Sequence, residues 1–209
     1  MTDPRLSGLY AITDANLLTD NFTAAIEQAL QGGCQIIQYR DKSTDQAHRL
    51  QQANIIRQLC DQYQCLFIVN DDIELAKACH ADGVHIGKDD QQLATAREHL
   101  GDEKIIGVSC YNQIELALAA EQAGADYVAF GAFFSSSIKP DATNAPVALI
   151  SQAKSRLQIP VCCIGGITAN NAHALIEAGT DMIAVISDIF ASDDIKLSSQ
   201  TLNKLFNSV

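Results

Sequence analysis

Three polar residues at alternating positions close the second apolar run of the chain. Gln38, Arg40 and Lys42 follow Ile36 and Ile37, and every second residue of a strand points to the same side for as long as the strand lasts. Arginine offers a planar fork of donors to a phosphate, and lysine offers a point charge. The three residues therefore predict a phosphate or diphosphate clamp, although a solvated strand end would show the same residue types.

Acidic residues follow the next two apolar runs. Asn70, Asp71 and Asp72 close the third run, and Asp89 and Asp90 follow the fourth. Carboxylates from neighbouring strand ends suit Mg²⁺, which takes oxygen ligands, keeps waters and bridges to substrate phosphates. Aspartates are also common helix caps, and Asp72 stands where a helix would begin. The pattern favours a Mg²⁺ site and leaves the capping role of Asp72 open.

Hydroxyl groups follow the fifth and sixth runs. Ser109 ends the fifth run, where its hydroxyl could donate to a phosphate oxygen. A segment without periodicity follows the sixth run, extends to about Pro146, and contains several hydroxyls and one cation. Long segments of this kind in compact domains are usually functional or disordered, so this one predicts a lid over an anion. Its candidate residues are Ser136, Ser137, Ile138 and Lys139.

The elements that must position these residues alternate along the chain. Short apolar runs of strand length are separated by longer segments with helical periodicity, which is typical of βαβ units and a parallel sheet. Strands are predicted to begin at Leu9, Ile36, Leu66, Gly83, Ile105, Tyr127, Val161 and Met182. Helices are predicted over 23–30, 46–60, 73–79, 93–100, 114–123, 147–157, 172–178 and 197–206.

Three of the helix-to-strand junctions resemble one another. The sequence reads HADG at 80–83, GADY at 124–127 and GTDM at 179–182, each running directly into a predicted strand. The similarity indicates equivalent αβ turns, although three turns rich in small residues could also resemble one another by chance.

Eight such units in 209 residues predict one α/β domain, a (β/α)₈ TIM barrel over residues 1–209. An open doubly wound sheet has the same alternation, but polar residues follow nearly every predicted strand. A barrel brings all of these strand ends together on one active face.

In a barrel, the ends of the seventh and eighth strands acquire a specific meaning. Gly165 and Gly166 follow the seventh strand, and Ile186 and Ser187 follow the eighth and lead into a short helix-like segment. Glycines allow backbone N–H groups to approach a phosphate, and these two loops form the usual phosphate site of the fold. A second anion site is therefore predicted there.

Other reactive residue types in the sequence point to structure rather than chemistry. His85 lies within an apolar strand, where a hydrogen-bonded structural role is the more frequent one. The seven cysteines form no CxxC pair and have no histidine placed beside them by spacing. They are therefore interpreted as reduced packing residues.

Composition argues against several classes of partner. The net charge of −11 disfavours nucleic acid, and no window is apolar enough to span a membrane. Residues 1–8 lack the pattern of a secretion signal, so a cytoplasmic location is expected. The expected partners are small phosphorylated molecules, and the oligomeric state is left open, a homo-oligomer included.

The ordered motifs LYAITD, QYRDK, IVNDD, GVHIGKDD, IGVSC, YVAFGAFFSSSIKP and IGGI resemble those of the thiamine phosphate synthase family over nearly the whole chain. The resemblance implies that hydroxymethylpyrimidine diphosphate is joined to a thiazole phosphate, with pyrophosphate released by a dissociative route. It implies a pyrimidine diphosphate site at Gln38, Arg40, Lys42, Asn70, Ser109 and Lys139. It also implies Mg²⁺ ligands at Asp71 and Asp90.

The same resemblance assigns the thiazole phosphate site and the catalytic groups. The phosphate site comprises Ser136, Ser137 and Ile138, a glycine of the pair Gly165 and Gly166, and Ile186 and Ser187. Arg40, Lys42, Ser109 and Lys139 are the implied catalytic residues. The cations among them and Mg²⁺ would neutralise the charge that grows on the leaving group, which requires no protein nucleophile.

One position departs from the family pattern beside the phosphate. Ile138 stands where the family has threonine, so a hydroxyl is replaced by an apolar group. A hydrogen bond lost from a charged group weakens binding by about 1.5 to 3 kcal/mol unless Ser137 or a backbone N–H replaces it. Activity with weakened phosphate binding is therefore expected. Tyr39 and Lys88 replace a typical leucine and glutamine, and these are milder changes.

Two other functions remain compatible with the residues. A thiazole tautomerase of the same superfamily would need neither a diphosphate clamp nor a metal pair, so Arg40, Lys42, Asp71 and Asp90 argue against it. A phosphate-binding barrel that has lost its activity, acting as a sensor or storage protein, is supported only by Ile138. Ligand binding without turnover would identify that second case.

Overall fold

The computed structural model describes residues 3–18, 21–87, 90–135 and 145–207, with the side chains of residues 90 and 91 excepted. The residues predicted at 136–139 lie outside the described residues, as do Lys88, Asp89 and the side chain of Asp90.

Eight parallel strands close into a barrel in sequence order, with β8 pairing with β1. The closed order confirms the (β/α)₈ barrel and rules out the open doubly wound sheet. The strands are β1 (Gly8–Ile12), β2 (Ile36–Tyr39), β3 (Leu66–Asn70), β4 (Gly83–Ile86), β5 (Ile105–Tyr111), β6 (Tyr127–Phe130), β7 (Val161–Ile164) and β8 (Met182–Val185).

The helices surround the barrel, and none that the described ranges contain combines the length and apolar character needed to cross a membrane. They are α1 (Phe22–Gln31), α2 (Gln46–Tyr63), α3 (Ile73–Ala78), α4 (Asp90–Leu100), α5 (Ile114–Gln122), α6 (Ala148–Arg156), α7 (His173–Glu177), α8 (Ser187–Phe190) and α9 (Ile195–Lys204), followed by a 3₁₀ turn, Leu205–Asn207.

Aspartate caps determine where several helices begin. The Asp72 carboxylate accepts a hydrogen bond from the Leu75 N–H (2.9 Å), which confirms its capping role at α3. Asp194 caps α9 in the same way, through the Leu197 N–H (2.8 Å). Helix α9 therefore begins at Ile195, two residues before the start predicted from the apolar pattern alone.

The strands are buried on both faces, and their side chains alternate between two cores. Leu9 and Ala11 of β1 pack outward against the helices, whereas Tyr10 and Ile12 point into the barrel interior. This period of two is the expected geometry of a barrel strand. The interior core therefore contains large side chains from most of the strands. Two of these side chains, Tyr10 and Tyr127, carry hydroxyl groups.

The three similar junctions of the sequence share one structure at the amino ends of the strands. The Asp82 carboxylate accepts hydrogen bonds from the Phe67 N–H of β3 (2.7 Å) and the Arg57 guanidinium of α2 (2.9 Å). Two further aspartates, Asp126 and Asp181, repeat this arrangement. The Asp126 carboxylate accepts from the Ile106 N–H and the Arg97 guanidinium. The Asp181 carboxylate accepts from the Val161 N–H and the Lys154 ammonium. We call Asp82, Asp126 and Asp181 the amino-end aspartates.

Candidate active site

A cavity of about 830 Å³ opens at the carboxyl ends of the strands, and all eight strands contribute to its lining. This is the end at which (β/α)₈ barrels place their active sites. A volume of this size accommodates small-molecule ligands. The predicted site residues that line it are Gln38, Arg40, Asn70, Ser109, Gly165, Gly166, Ile186 and Ser187.

Two of the predicted residues that the structure describes lie outside this lining. Lys42 is exposed in the loop after β2, and Asp71 is exposed in the turn after β3. Among the described residues, no group of three or more His, Cys, Asp or Glu side chains could hold a metal ion.

The backbone of Arg40 is anchored by a threonine that sequence reasoning did not find. Strand β2 ends at Tyr39, so Arg40 follows the strand instead of belonging to it. Its N–H donates to the buried Thr13 Oγ1 (2.8 Å), and the Thr13 N–H donates to the Gln38 carbonyl (2.9 Å). Thr13 immediately follows β1 within the LYAITD motif, and that position after a strand is the signal that could have identified it.

An aspartate turn presents Lys42. The Asp41 carboxylate accepts hydrogen bonds from the Ser43 N–H (2.7 Å) and the Ser43 hydroxyl (3.0 Å), and lies 3.2 Å from the Tyr39 hydroxyl. Burial raises the pKa of the Asp41 carboxyl, but these hydrogen bonds outweigh burial and bring the pKa below its usual value. The turn therefore contains a stable carboxylate that orders the loop on either side of Lys42.

The turn after β3 holds Asp71 in an unusual backbone conformation. Asp71 has φ of 62°, and its N–H donates to the His85 carbonyl of β4 (2.9 Å). The Asn70 amide donates to the Asp71 carboxylate (2.7 Å). Aspartate and asparagine tolerate the left-handed region better than most residues. The turn thus leaves the Asp71 carboxylate at the rim of the barrel, facing water.

Five polar side chains form a continuous series of hydrogen bonds across the floor of the cavity. Gln38 Nε2 donates to the Tyr10 hydroxyl (2.6 Å), which lies 2.9 Å from the Tyr127 hydroxyl. The Tyr127 hydroxyl lies 2.9 Å from His85 Nδ1, and His85 Nε2 lies 2.9 Å from Ser109 Oγ. As predicted, His85 is a hydrogen-bonded residue. Sequence spacing did not identify Tyr10 or Tyr127 as its neighbours.

The imidazole of His85 is held in its neutral form. Loss of hydration deep in the barrel lowers the pKa of His85 to about 4. No carboxylate is among its hydrogen-bond partners in the described structure. At neutral pH this side chain therefore carries one ring hydrogen and no charge.

The loop after β7 requires glycine at both positions of the predicted pair. Gly165 and Gly166 have φ of 104° and 62°, in the left-handed region. A Cβ on Gly165 would lie 2.4 Å from the Ala132 Cβ, and one on Gly166 would lie 2.4 Å from the Ser135 carbonyl oxygen. The loop is thus packed directly against the segment that follows β6, and its backbone borders the cavity.

Two side chains hold this glycine loop in place. Asn171 accepts a hydrogen bond from the Thr168 N–H (2.8 Å) and donates to the Gly166 carbonyl (2.9 Å). The Asp188 carboxylate of α8 accepts from the Ala169 N–H (3.0 Å), which links the loops after β7 and β8. Sequence reasoning found neither role, because both are loop contacts between residues without periodic spacing.

The cysteines that could have served as nucleophiles are buried and protonated. Burial raises the pKa of the Cys110 and Cys163 thiols to about 12 and raises that of Cys162 well above its usual value. All seven cysteines are free thiols. Since the thiolate is the reactive form, these residues are inert packing groups, as the sequence predicted.

The fold and the cavity together define a (β/α)₈ barrel with an enzyme-type site at the carboxyl ends of its strands. The model of the thiamine monophosphate synthase family matches residues 9–189. The chain is 49% identical over 206 residues to the thiamine-phosphate synthase of Thioalkalivibrio sulfidiphilus, covering 98% of each chain. It is 48% identical over 199 residues to that of Thiobacillus denitrificans, covering 95% of this chain and 94% of the relative.

A solved structure shows the same similarity in three dimensions. The thiamine phosphate pyrophosphorylase from Pyrococcus furiosus superposes with a TM-score of 0.89 at 34% identity, covering 99% of this chain and 98% of that one. The chain therefore belongs to the thiamine monophosphate synthase family, and is a transferase of thiamine biosynthesis with thiamine-phosphate synthase activity.

Proposed function

We propose that the chain joins hydroxymethylpyrimidine diphosphate to a thiazole phosphate, giving thiamine phosphate and pyrophosphate. The arrangement of the cavity is the observation that carries this proposal. Cationic and hydrogen-bonding groups follow β2, β3 and β5 on one side, and the glycine loop follows β7 on the other. Two separate anionic groups can thus be bound on either side of a shared floor, as two phosphorylated substrates require.

The diphosphate belongs on the side formed by β2, β3 and β5. Among the described residues, neither the Arg40 guanidinium nor the Lys42 ammonium has an ion-pair or hydrogen-bond partner. Two cations without protein partners favour a polyanionic ligand. Asn70 and Ser109 would add neutral hydrogen bonds to the same group, and Lys139 would add a third positive charge.

The proposed reaction is dissociative and uses no protein nucleophile. The bond between the pyrimidine methylene carbon and the diphosphate oxygen breaks, and its electron pair leaves with the diphosphate. The thiazole nitrogen then donates its lone pair to the resulting cation and forms the new carbon–nitrogen bond. Arg40, Lys42 and Lys139 would stabilise the negative charge on the departing diphosphate, which is an electrostatic contribution. The protonated cysteines and neutral His85 are consistent with this route.

Mg²⁺ is the proposed metal, with Asp71 and Asp90 as its protein ligands. Proteins usually hold this ion through one or two carboxylates together with substrate phosphates and water. The exposed Asp71 carboxylate at the rim of the barrel fits such a donor set. When bound, the ion would neutralise charge on the diphosphate and so make it a better leaving group.

The thiazole phosphate belongs on the side formed by the loops after β7 and β8. Gly165 and Gly166 offer backbone N–H groups without an obstructing side chain, and Ile186 and Ser187 complete that side of the lining. Asn171 and Asp188 hold these loops in position through backbone groups. By the family resemblance, Ser136, Ser137 and Ile138 would also line this site.

The direct test is pyrophosphate release by the purified protein supplied with Mg²⁺ and both substrates. Release should require both substrates and should stop when the metal is chelated. Omission of each substrate in turn provides the controls. Ligand binding without pyrophosphate release would overturn the proposal and favour the binding barrel that has lost its activity.

Replacement of Ile138 tests the one departure beside the phosphate. We expect Ile138→Thr to restore a hydrogen bond to a charged group and to lower the KM for the thiazole phosphate by roughly tenfold or more. Steady-state kinetics with each substrate varied in turn would measure this, with Ile138→Val as the control that changes shape without adding a hydroxyl. Unchanged constants in Ile138→Thr would show that another group already compensates.

A further inference from the structure

The hydrogen bonds on the floor of the cavity connect five different strands. Gln38 lies on β2, Tyr10 on β1, Tyr127 on β6, His85 on β4 and Ser109 on β5. The two ends of the series, Gln38 and Ser109, line the proposed pyrimidine diphosphate site. The three residues between them have no role in the proposed chemistry. Tyr10 and Tyr127 belong to the interior core, and Tyr10 and His85 also border the cavity.

The direction of donation in this series is determined at one end. The Gln38 amide nitrogen can only donate, so the Tyr10 hydroxyl is its acceptor. The hydrogen of the buried Tyr10 hydroxyl must then be donated to Tyr127, because a buried unsatisfied donor is costly. By the same reasoning Tyr127 donates to His85 Nδ1, which must be unprotonated.

The remaining ring hydrogen determines what Ser109 can do. A neutral imidazole with an unprotonated Nδ1 carries its hydrogen on Nε2, so His85 Nε2 donates to Ser109 Oγ. The hydroxyl hydrogen of Ser109 is then left without an acceptor among the described residues. Because Ser109 borders the cavity, this hydrogen is available to a ligand oxygen.

The packing around Tyr127 keeps these hydrogen-bond partners in place. Its ring lies against Gly107 of β5, where an added Cβ would be 2.0 Å from the Tyr127 Cζ. The ring also stacks on His85, with centroids 5.6 Å apart and planes inclined by 28°. Tyr10 meets the same ring edge-on, with centroids 6.2 Å apart. Each hydroxyl is thus confined to the partner it bonds.

We infer that Tyr10, Tyr127 and His85 are positioning residues that form a one-directional hydrogen-bond relay from Gln38 to Ser109. The relay sets the Ser109 hydroxyl as a donor toward an anionic oxygen. It leaves the side-chain oxygen of Gln38, Oε1, as an acceptor without a donor among the described residues. The identity of the ligand rests on the proposed function. The relay explains why two groups of the proposed site have opposite hydrogen-bonding roles: Ser109 donates, and the Gln38 side chain accepts.

Removal of one hydroxyl from the relay tests this inference. Tyr127→Phe retains the ring but leaves His85 Nδ1 without a donor and Tyr10 without an acceptor. We expect kcat to fall and the KM for the pyrimidine diphosphate to rise, with a combined loss in kcat/KM of about tenfold. The KM for the thiazole phosphate should not change. Tyr63→Phe is the matched control, since its hydroxyl bonds to Glu27 outside the barrel (3.1 Å), and it should retain full activity.

A double-mutant cycle separates positioning from a general packing effect. In a Ser109→Ala background the relay has lost its acceptor, so Tyr127→Phe should reduce kcat/KM at least threefold less than it does in the wild-type protein. An equal reduction in both backgrounds would show that Tyr127 acts independently of Ser109 and would overturn the inference.

The tautomer of His85 provides a measurement that needs no turnover. Nitrogen-15 NMR correlations of the imidazole ring should show the hydrogen on Nε2 in the wild-type protein and a mixture of tautomers in Tyr127→Phe. The signals are assigned by their loss in His85→Gln. A hydrogen on Nδ1 in the wild-type protein would reverse the relay and reject the inference, even if pyrophosphate release follows the proposed function.

Rescue by a related side chain completes the test. A glutamine amide can donate to Ser109 in place of Nε2, whereas leucine cannot, so His85→Gln should retain several times the kcat/KM of His85→Leu. Equal losses in two folded variants would argue against a donor role for His85. If the wild-type protein released no pyrophosphate, the proposed function would fail while the tautomer result would still decide the relay.

Discussion

At the amino ends of the strands, each amino-end aspartate bonds both a strand N–H and a cation. At the carboxyl ends, the side chains of Arg40 and Lys42 have no hydrogen-bond or ion-pair partner among the described residues. Asp82 and Arg57 are 22% and 16% exposed, so their pairing is shielded from water. Lys42 is exposed, and Arg40 borders the cavity. Arginine and lysine are thus paired within the protein at the amino ends of the strands, whereas at the carboxyl ends they are left available to a ligand.

The difference shows how the barrel separates stability from binding. A charge that is paired within the protein already has an opposite charge beside it and cannot bind a ligand without breaking that pair. A charge left without a partner contributes little to folding but is available for an anion. Substitutions at the two ends should therefore affect different measurements: unfolding at the amino ends and kinetics at the carboxyl ends.

Replacement of Arg40 should give the largest effect and the clearest contrast. Arg40→Ala removes a cation that the proposal places on the leaving diphosphate, so kcat/KM should fall by roughly 100- to 1000-fold. The unfolding temperature should remain close to that of the wild type, because no described hydrogen bond or ion pair of the side chain is lost. Steady-state kinetics and thermal unfolding together measure both outcomes.

The control for this prediction is another arginine whose contacts are exposed. Arg156 pairs with Glu115 at 3.0 Å, with exposures of 46% and 76%, so Arg156→Ala should change neither activity nor stability appreciably. A large loss of stability in Arg40→Ala would contradict the separation of the two ends.

Replacement of Asp82 should give the largest loss of stability. Asp82→Ala leaves the Phe67 N–H without its acceptor and the Arg57 guanidinium without its buried partner. We expect a destabilisation of roughly 3 kcal/mol, with kcat unchanged at temperatures where the protein is folded. Urea unfolding followed by circular dichroism would measure it.

Two comparisons sharpen the stability prediction. Asp61 contacts the same arginine at 2.7 Å but is 68% exposed, so Asp61→Ala should cost under about 0.5 kcal/mol. Asp181→Ala should cost less than Asp82→Ala, because its cation Lys154 is 36% exposed and better screened by water. Equal effects of Asp61→Ala and Asp82→Ala would show that burial does not determine the strength of these pairs.

The sequence predicted most of the cavity lining at the carboxyl ends of the strands but not the contacts between distant residues. The reason is geometric. Periodicity located the strands, and the residues that follow each strand gave most of the cavity lining, since the carboxyl ends of parallel strands converge. Tyr10 and Tyr127 could not be paired in this way, because closure of the barrel brings together side chains 117 residues apart. The similar junctions at 80–83, 124–127 and 179–182 were visible, but not the cations that make them equivalent.

A pair of glycines extends the comparison to the backbone. Gly166→Ala places a Cβ 2.4 Å from the Ser135 carbonyl oxygen at φ of 62°, so the loop must shift. We expect the KM for the thiazole phosphate to rise about tenfold, which corresponds to about 1.4 kcal/mol. Gly124 at the amino end has φ of 92° and no atom within 4 Å of an added Cβ. Gly124→Ala should therefore cost about 1 kcal/mol of stability and leave the kinetics unchanged.

The two glycine variants can also contradict the separation. Kinetics with the thiazole phosphate varied at a fixed concentration of the pyrimidine diphosphate give the KM of each variant. Urea unfolding gives the stability of each variant. A change in KM from Gly124→Ala would mean that strain at the amino end reaches the site through the strands, and the two ends would then not be independent.

The smallest effect is expected at Tyr39, which contacts both the outer core and the loop that carries Lys42. Its ring packs edge-on against Phe22 in the outer core, with centroids 6.4 Å apart, while its hydroxyl reaches Asp41 in the loop that carries Lys42. Tyr39→Phe keeps the ring and should cost about 1 kcal/mol or less in stability. The KM for the pyrimidine diphosphate should rise only about twofold, because Ser43 still holds the Asp41 carboxylate through two hydrogen bonds.

The comparison variant is Tyr39→Leu. It should show the same KM with a further loss of stability, since it also removes the ring. A larger change in KM for Tyr39→Leu than for Tyr39→Phe would mean that the ring, rather than the hydroxyl that bonds to Asp41 (3.2 Å) and Gln52 (3.0 Å), positions the loop.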